Sequence, residues 1–494
     1  MIKTESGYVS GLTTHDEAVS IFKGIPYASP PTGRLRWKAP EKSPSWSGVR
    51  ECTKFSASAI QPPQAPFFCW TEEFIIDTSR GYSEDCLTLN IFCPSDVNTK
   101  GKPVIVYLHG GNFVSGGSSC EAYNGEHLAR HGVIFVTVNF RVGVLGLLAS
   151  SELSAESPSE TSGNYQLLDQ IAALQWVKNN IHSFGGDPEN ITLMGQSSGA
   201  AAVFTLSVSP MAKGLFRRVF ALSHDTLNLP VSYVHEAGKM TPHNLYEPTS
   251  VCEHEGDSLG LSLEHMRSMP PDELLKLPEF YPYCIDGRVI TGSFNEGVRA
   301  GLSEDYDFIV TYTKDEPMIF TMAIDITGSQ DYEPAMRAYF GEYADRAMTL
   351  YPFKGDAKEL VFRMSGERYI ASVMMLAALR KRSNTWLGEF DHVIPGFDSQ
   401  TWGAFHTSDV PYWLDHFSDV RKDFWREDDY ALGKELVTRL VAFAKTGRPN
   451  AENLAAWKPS DGSSLYRIDA GGMKEVCPLD ENTYQFWRDF YCVN

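Results

Sequence analysis

Three residues far apart in the chain stand in an order that can turn a serine into a nucleophile. Ser197 lies in Gly195-Gln196-Ser197-Ser198-Gly199, Glu316 in Thr313-Lys314-Asp315-Glu316-Pro317, and His406 in Gly403-Ala404-Phe405-His406. A serine hydroxyl attacks poorly at neutral pH and needs a base within hydrogen-bond reach. A Gly-x-Ser-x-Gly pentapeptide between a strand and a helix is the signature of a nucleophile elbow, with acid and then base following in the chain. The chemistry this implies is acyl transfer from an ester. Ser197 attacks the carbonyl, His406 takes its proton and returns it to the leaving alkoxide, and an acid fixes the imidazole tautomer. By position alone that acid is either Asp315 or Glu316, since both follow the same strand.

Upstream, His109-Gly110-Gly111-Asn112-Phe113 follows a strand-like run, where the loop that supplies oxyanion donors is expected. The backbone N–H groups of Gly111, Asn112 and Ser198 would face the oxygen of a tetrahedral intermediate, and one such donor is worth about 2.7–4 kcal/mol. The bland alternatives are an ordinary glycine turn here and a small turn residue at 197. Of thirteen histidines, only His406 combines a loop position with a place after the acid. His109 reads as a brace for its loop.

These residues need a rigid frame. Val104-Ile105-Val106-Tyr107-Leu108, Val133-Ile134-Phe135-Val136-Thr137-Val138, Val219-Phe220-Ala221-Leu222 and Phe308-Ile309-Val310-Thr311 read as strands covered on both faces. Gly7 to Pro30 alternates β-prone runs with turns and suits an antiparallel edge. Leu167, Ile171, Leu174, Val177 and Ile181 form one stripe of an amphipathic helix, with Asn164 as N-cap and Gly185-Gly186 as the stop. Ile191-Thr192-Leu193-Met194 then leads into the elbow, and small residues from Ser198 open the next helix. A last long helix carries Leu432, Leu436, Leu440 and Phe443. The fold class is α/β: a mostly parallel central sheet with helices on both faces. Residues 1–494 read as one domain, with helical insertions at about 225–380 over the active-site edge. Phe280, Tyr281, Tyr283 and Phe320 in that region are candidates to line an apolar cleft.

With these motifs the chain resembles the type-B carboxylesterase family, α/β-hydrolases that include bacterial para-nitrobenzyl esterases and cholinesterases. Further matches are Phe22-Lys23-Gly24-Ile25-Pro26-Tyr27-Ala28, Gly33-Arg34-Leu35-Arg36-Trp37, Ser83-Glu84-Asp85-Cys86-Leu87-Thr88-Leu89-Asn90, Phe184-Gly185-Gly186-Asp187-Pro188 and Phe443-Ala444-Lys445-Thr446-Gly447-Arg448-Pro449-Asn450. The resemblance implies an α/β-hydrolase fold, Ser197 as nucleophile, Glu316 rather than Asp315 as acid, His406 as base, and oxyanion donors at Gly111, Asn112 and Ser198. It also implies ion pairs Arg36–Glu84 and Arg141–Asp169. Four departures matter: Asn112 stands where the family has Gly or Ala, Gln196 where Glu is common, His224 where Gly usually follows Ser223, and Pro317 where a glycine follows the acid. Loss of the carboxylate at 196 argues for neutral esters over cationic choline esters. Trp70 follows Cys69 directly, too early to match the cation platform of the cholinesterase branch.

Composition sets the outer limits. With a formal charge of −19, neither nucleic acid nor an anionic membrane is an expected partner. Met1 to Gly7 lacks an apolar signal region, and no run of about eighteen apolar residues suggests a span, so a cytoplasmic protein is expected. The nine cysteines form no compact framework. Cys69 and Cys86 could close a loop in an oxidising compartment, but free thiols are expected. No His-Glu-x-x-His or paired Cys-x-x-Cys argues for zinc, and no cofactor is expected. The function read from the chain is hydrolysis of small neutral carboxylic esters through an acyl-enzyme. The alternatives are a catalytically silent adhesion or scaffold protein on the same fold, or an acetyl-sugar, feruloyl or xenobiotic esterase.

Overall fold

β-Branched and aromatic runs pair into an eleven-stranded sheet. In this computed structural model the described residues are 1–225, 245–278, 281–322, 324–382, 384–396 and 399–491, with the backbone alone of 231–234 and 240–243. The sheet strands are β1 Leu12–Thr13, β2 Val19–Pro26, β3 Thr88–Pro94, β4 Lys102–Leu108, β5 Ile134–Val138, β6 Gly186–Gln196, β7 Arg218–Leu222, β8 Asp307–Thr313, β9 Thr385–Phe390, β10 Leu465–Asp469 and β11 Gly472–Val476. Their spatial order is β11-β10-β9-β8-β7-β6-β4-β5-β3-β2-β1. From β10 across to β5 every neighbouring pair is parallel, while the pairs at both margins are antiparallel. The edge expected from Gly7 to Pro30 is thus β1 and β2.

Strand residues alternate between two apolar layers because successive side chains point to opposite faces. Val104, Val106, Leu193, Val219 and Val310 enter one layer, and Ile105, Met194, Phe220 and Ile309 the other. Helices α1 Tyr165–Asn180 and α2 Ser198–Val208 cover the first face through Leu167, Leu174, Val177, Val203 and Leu206. α3 Ala357–Leu379 lies on the same side through Val373 and Leu376. On the other face α4 Glu427–Thr446 packs Leu432, Leu436, Leu440 and Phe443. Both faces being covered explains why the parallel strands read as continuous apolar runs rather than alternating ones.

Two local expectations change. Asn164 does sit before α1, but its backbone is left-handed and its side chain does not cap the helix. It bonds the Cys284 backbone instead, donating to the carbonyl at 2.7 Å and accepting the N–H at 3.0 Å. Tyr281 and Tyr283 are core residues, and Tyr283 rests against Phe113 at 5.5 Å. Phe280 lies outside the described residues. Arg36–Glu84 and Arg141–Asp169 pair at 2.5 and 2.6 Å, and Cys69 and Cys86 are separate buried thiols.

Candidate active site

A strained turn joins β6 to α2. Ser197 occupies it at φ 58° and ψ −127°, a conformation that costs a non-glycine residue of order 1–3 kcal/mol. Two hydrogen bonds hold it there: Ser197 N–H donates to the Leu222 carbonyl of β7 at 2.9 Å, and Ala201 N–H to the Ser197 carbonyl at 3.0 Å. The flanking glycines are sterically required. A Cβ on Gly195 would sit 2.4 Å from the Gly199 carbonyl oxygen, and one on Gly199 2.2 Å from that of Leu108.

The loop after β4 closes against this turn. His109 stacks on Phe140 at 4.1 Å and donates from Nδ1 to the Gly110 carbonyl at 2.8 Å. Burial pushes its imidazole down to about 4, so it braces the loop as a neutral ring. Asn112 and Phe113 both have positive φ, which turns the chain sharply back under itself. Among the described residues, no acceptor outside the helix and sheet ladders takes the backbone N–H of Gly111, Asn112 or Ser198. A helix start leaves such donors free, and Ser198 is the first residue of α2.

Glu316 begins a short turn just beyond the C-terminal end of β8. One carboxylate oxygen accepts from Thr313, from the backbone N–H at 3.1 Å and the hydroxyl at 2.9 Å. The other accepts from His406 Nδ1 at 2.5 Å. Burial works to raise the Glu316 carboxyl, but the adjoining His406 imidazole and the hydrogen bond it donates overcome it and hold the group below its ordinary range. Asp315 points elsewhere, accepting the Ala404 N–H at 2.7 Å, and burial raises its carboxyl.

With Nδ1 donating to Glu316, the lone pair of His406 is on Nε2. The Gln196 amide nitrogen stands 3.1 Å from it and donates to it. No hydrogen bond joins the Ser197 hydroxyl to His406 among the described residues. Both nevertheless line one cavity of about 350 Å³, together with Gly111, Asn112 and Gln196. His224 lies outside this lining: it is half-buried and donates from Nδ1 to the Asp225 carbonyl at 2.7 Å.

The cavity wall is aromatic. Trp402, Phe68, Phe67, Trp70, His406 and Phe320 form an unbroken series of ring contacts, with centroid separations from 4.7 to 6.4 Å. Trp70 donates from its indole to Thr407 Oγ1 at 2.7 Å, beside the imidazole. Behind it, Glu73 and Arg421 form a fully buried ion pair, and Arg421 also donates to the Pro395 carbonyl at 2.8 Å. Of the lining side chains, Phe320 is the wall residue that the sequence points to; no motif in the sequence marks Phe67, Phe68, Trp70, Trp402 or Thr407 as part of the site. The aromatic density at Phe67, Phe68 and Trp70 was the one signal in the sequence. Among the described residues the lining holds no Lys, Arg, Asp or Glu, and no three His, Cys, Asp or Glu side chains converge as a metal centre would require. No helix among them is long and apolar enough to cross a membrane.

A mainly parallel sheet flanked by helices, with these groups clustered past the C-terminal ends of its strands, defines an α/β-hydrolase. The carboxylesterase family model matches residues 1–348 and 355–487, and the chain belongs to the carboxylesterase family. It is a carboxylic ester hydrolase. Fumonisin B1 esterase of Sphingopyxis macrogoltabida is 31% identical over 481 residues, spanning 92% of this chain and 83% of that protein. Para-nitrobenzyl esterase of Bacillus subtilis is 29% identical over 473 residues, spanning 92% and 91%. A solved PNB esterase superposes with a TM-score of 0.82 at 25% identity, over 98% of this chain and 99% of that one.

Proposed function

We infer that the protein hydrolyses small neutral carboxylic esters through a covalent acyl-enzyme, with Ser197 as nucleophile, His406 as base and Glu316 as acid. The observation that carries this reading is the 2.5 Å bond from His406 Nδ1 to a buried carboxylate, made on the wall of the cavity that Ser197 also lines. That bond orients the ring and stabilises the imidazolium formed when Ser197 gives up its proton. The ester carbonyl enters against the free N–H groups of Gly111, Asn112 and Ser198, which meet the oxygen as it becomes anionic. His406 then protonates the leaving alkoxide, and water, activated by the same imidazole, releases the acid. Apo sites commonly hold the attacking hydrogen bond loose until substrate arrives, which accords with the separate Ser197 and His406 seen here.

The absence of Lys, Arg, Asp and Glu among the described lining residues supports neutral substrates. The rings flanking His406 stand where the leaving alcohol must depart, which favours a flat apolar alcohol half. With Ser197→Ala the fold should persist while kcat for para-nitrophenyl acetate falls by about 10⁶. Mass spectrometry of the acid-quenched wild type should show one acetyl group on Ser197. Unchanged turnover in the variant overturns the reading.

A further inference from the structure

Gln196 takes no part in the chemistry just described, yet it touches the atom on which that chemistry turns. Its side chain is 1% exposed and spans the site floor. At one end its amide nitrogen donates to His406 Nε2 at 3.1 Å. At the other its amide oxygen lies against Gly110, so close that a Cβ on Gly110 would come within 2.6 Å of it. The same Cβ would come within 2.8 Å of Ser197 Cβ, so this glycine leaves the amide its room.

The lone pair on Nε2 is the one that must receive the Ser197 proton. An amide N–H can bond it only while the ring is neutral, since a protonated Nε2 would present a second N–H to the same donor. We propose that Gln196 is a positioning residue that caps the base in the empty site, occupying the His406 lone pair and withholding it from Ser197 until a substrate seats against the oxyanion loop. This rests on the reading of Ser197 and His406 as nucleophile and base. Substrate oxygen arriving at Gly111 and Asn112 lands next to Gly110, the residue against which the Gln196 oxygen rests. Displacement of the amide from either end frees the lone pair.

Other groups facing His406 must be separated from this effect. Glu316 contacts it from the turn after β8, and His224 and Asp409 act on it through charge from the segment after β7 and from its own loop. Trp70 and Phe320 are neutral.

The test uses the full chain with Gln196→Met, which keeps the length and removes the donor, and Gln196→Glu, which adds a charge that favours the protonated ring. kcat/KM for para-nitrophenyl acetate is followed from about pH 5 to about pH 9. The acid limb should move upward in the order wild type, Gln196→Met, Gln196→Glu, the last by about one unit. At the alkaline plateau a neutral para-nitrophenyl phosphonate should label Ser197 about threefold or more faster in Gln196→Met than in wild type, because its base is uncapped. The same order should persist in an Asp409→Asn background and in a His224→Gln background, which remove the two other titratable groups acting on His406 through charge. An acid limb that stays put in both variants, or an order that vanishes in either background, overturns the proposal. If Gln196→Glu does not fold, Gln196→Met alone decides through its acid limb and labelling rate. Absence of any label on Ser197 in the wild type instead sinks the nucleophile reading beneath it.

Discussion

Asp315 and Glu316 are adjacent carboxylates, and folding gives them opposite assignments. Glu316 meets the imidazole, whereas Asp315 accepts the Ala404 N–H and braces the loop that carries it. Glu316→Gln should therefore lower kcat for para-nitrophenyl acetate by about 10⁴, as loss of a tautomer-fixing acid does. Asp315→Asn, which keeps an acceptor for Ala404, should stay within about tenfold of wild type. The choice could not be made from local sequence because it depends on which way a single turn faces a residue ninety positions later. Asp409 carries a second residue-scale consequence. Burial, helped by the charge of Glu316 and opposed by His406, pushes its carboxyl up to about 7. Between its ordinary 3.8 and about 7 the unfolded chain is ionised there while the folded one keeps the proton. The folded state binds more protons across that window, so this contribution to stability is present at low pH and is lost as pH rises through 7. Urea unfolding should show wild type losing more stability than Asp409→Asn between about pH 5 and about pH 8, by more than about 1 kcal/mol.

At the scale of elements, the strand ends hold the proposed reacting groups and a separate strip, residues 64–76, supplies most of the aromatic wall. Trp70 and Glu73 fasten that strip to the segment after His406. Arg421→Met leaves Glu73 buried without its cation and should cost about 3–5 kcal/mol of stability, read as a lower Tm. The strands, α1, α2 and the elbow were legible because each carries its own periodicity and its own stop residues. Val104 to Leu108 and Ile191 to Met194 needed no partner to declare themselves. The strip was opaque because its meaning lies in contacts such as Trp70 to Thr407, 337 residues apart. Asn164 departs from its sequence pattern for a related reason: a capping residue type stands at a capping position, but a distant backbone at Cys284 claims its side chain. Gln196 stood out as an unusual neighbour of the nucleophile, yet nothing in the sequence pointed its amide at His406.

The molecule as a whole carries a formal charge of −19, while the described cavity lining has no carboxylate or basic side chain other than the imidazole. The field therefore acts on approach and hardly at all on seating. For an ester with a quaternary ammonium alcohol, kcat/KM should fall as salt is added, because screening removes the attraction. For its uncharged isostere kcat/KM should stay flat, and at physiological ionic strength the neutral ester should be the better substrate. A strong preference for the choline-type ester under those conditions would contradict the uncharged wall. The division between strand ends and wall strip has an outcome for how such a protein diversifies. Since Phe67 and Phe68 lie outside the proposed triad, randomising them should offer new guests to an unchanged reactor, with two fastenings left as fixed hinges for the remodelled panel.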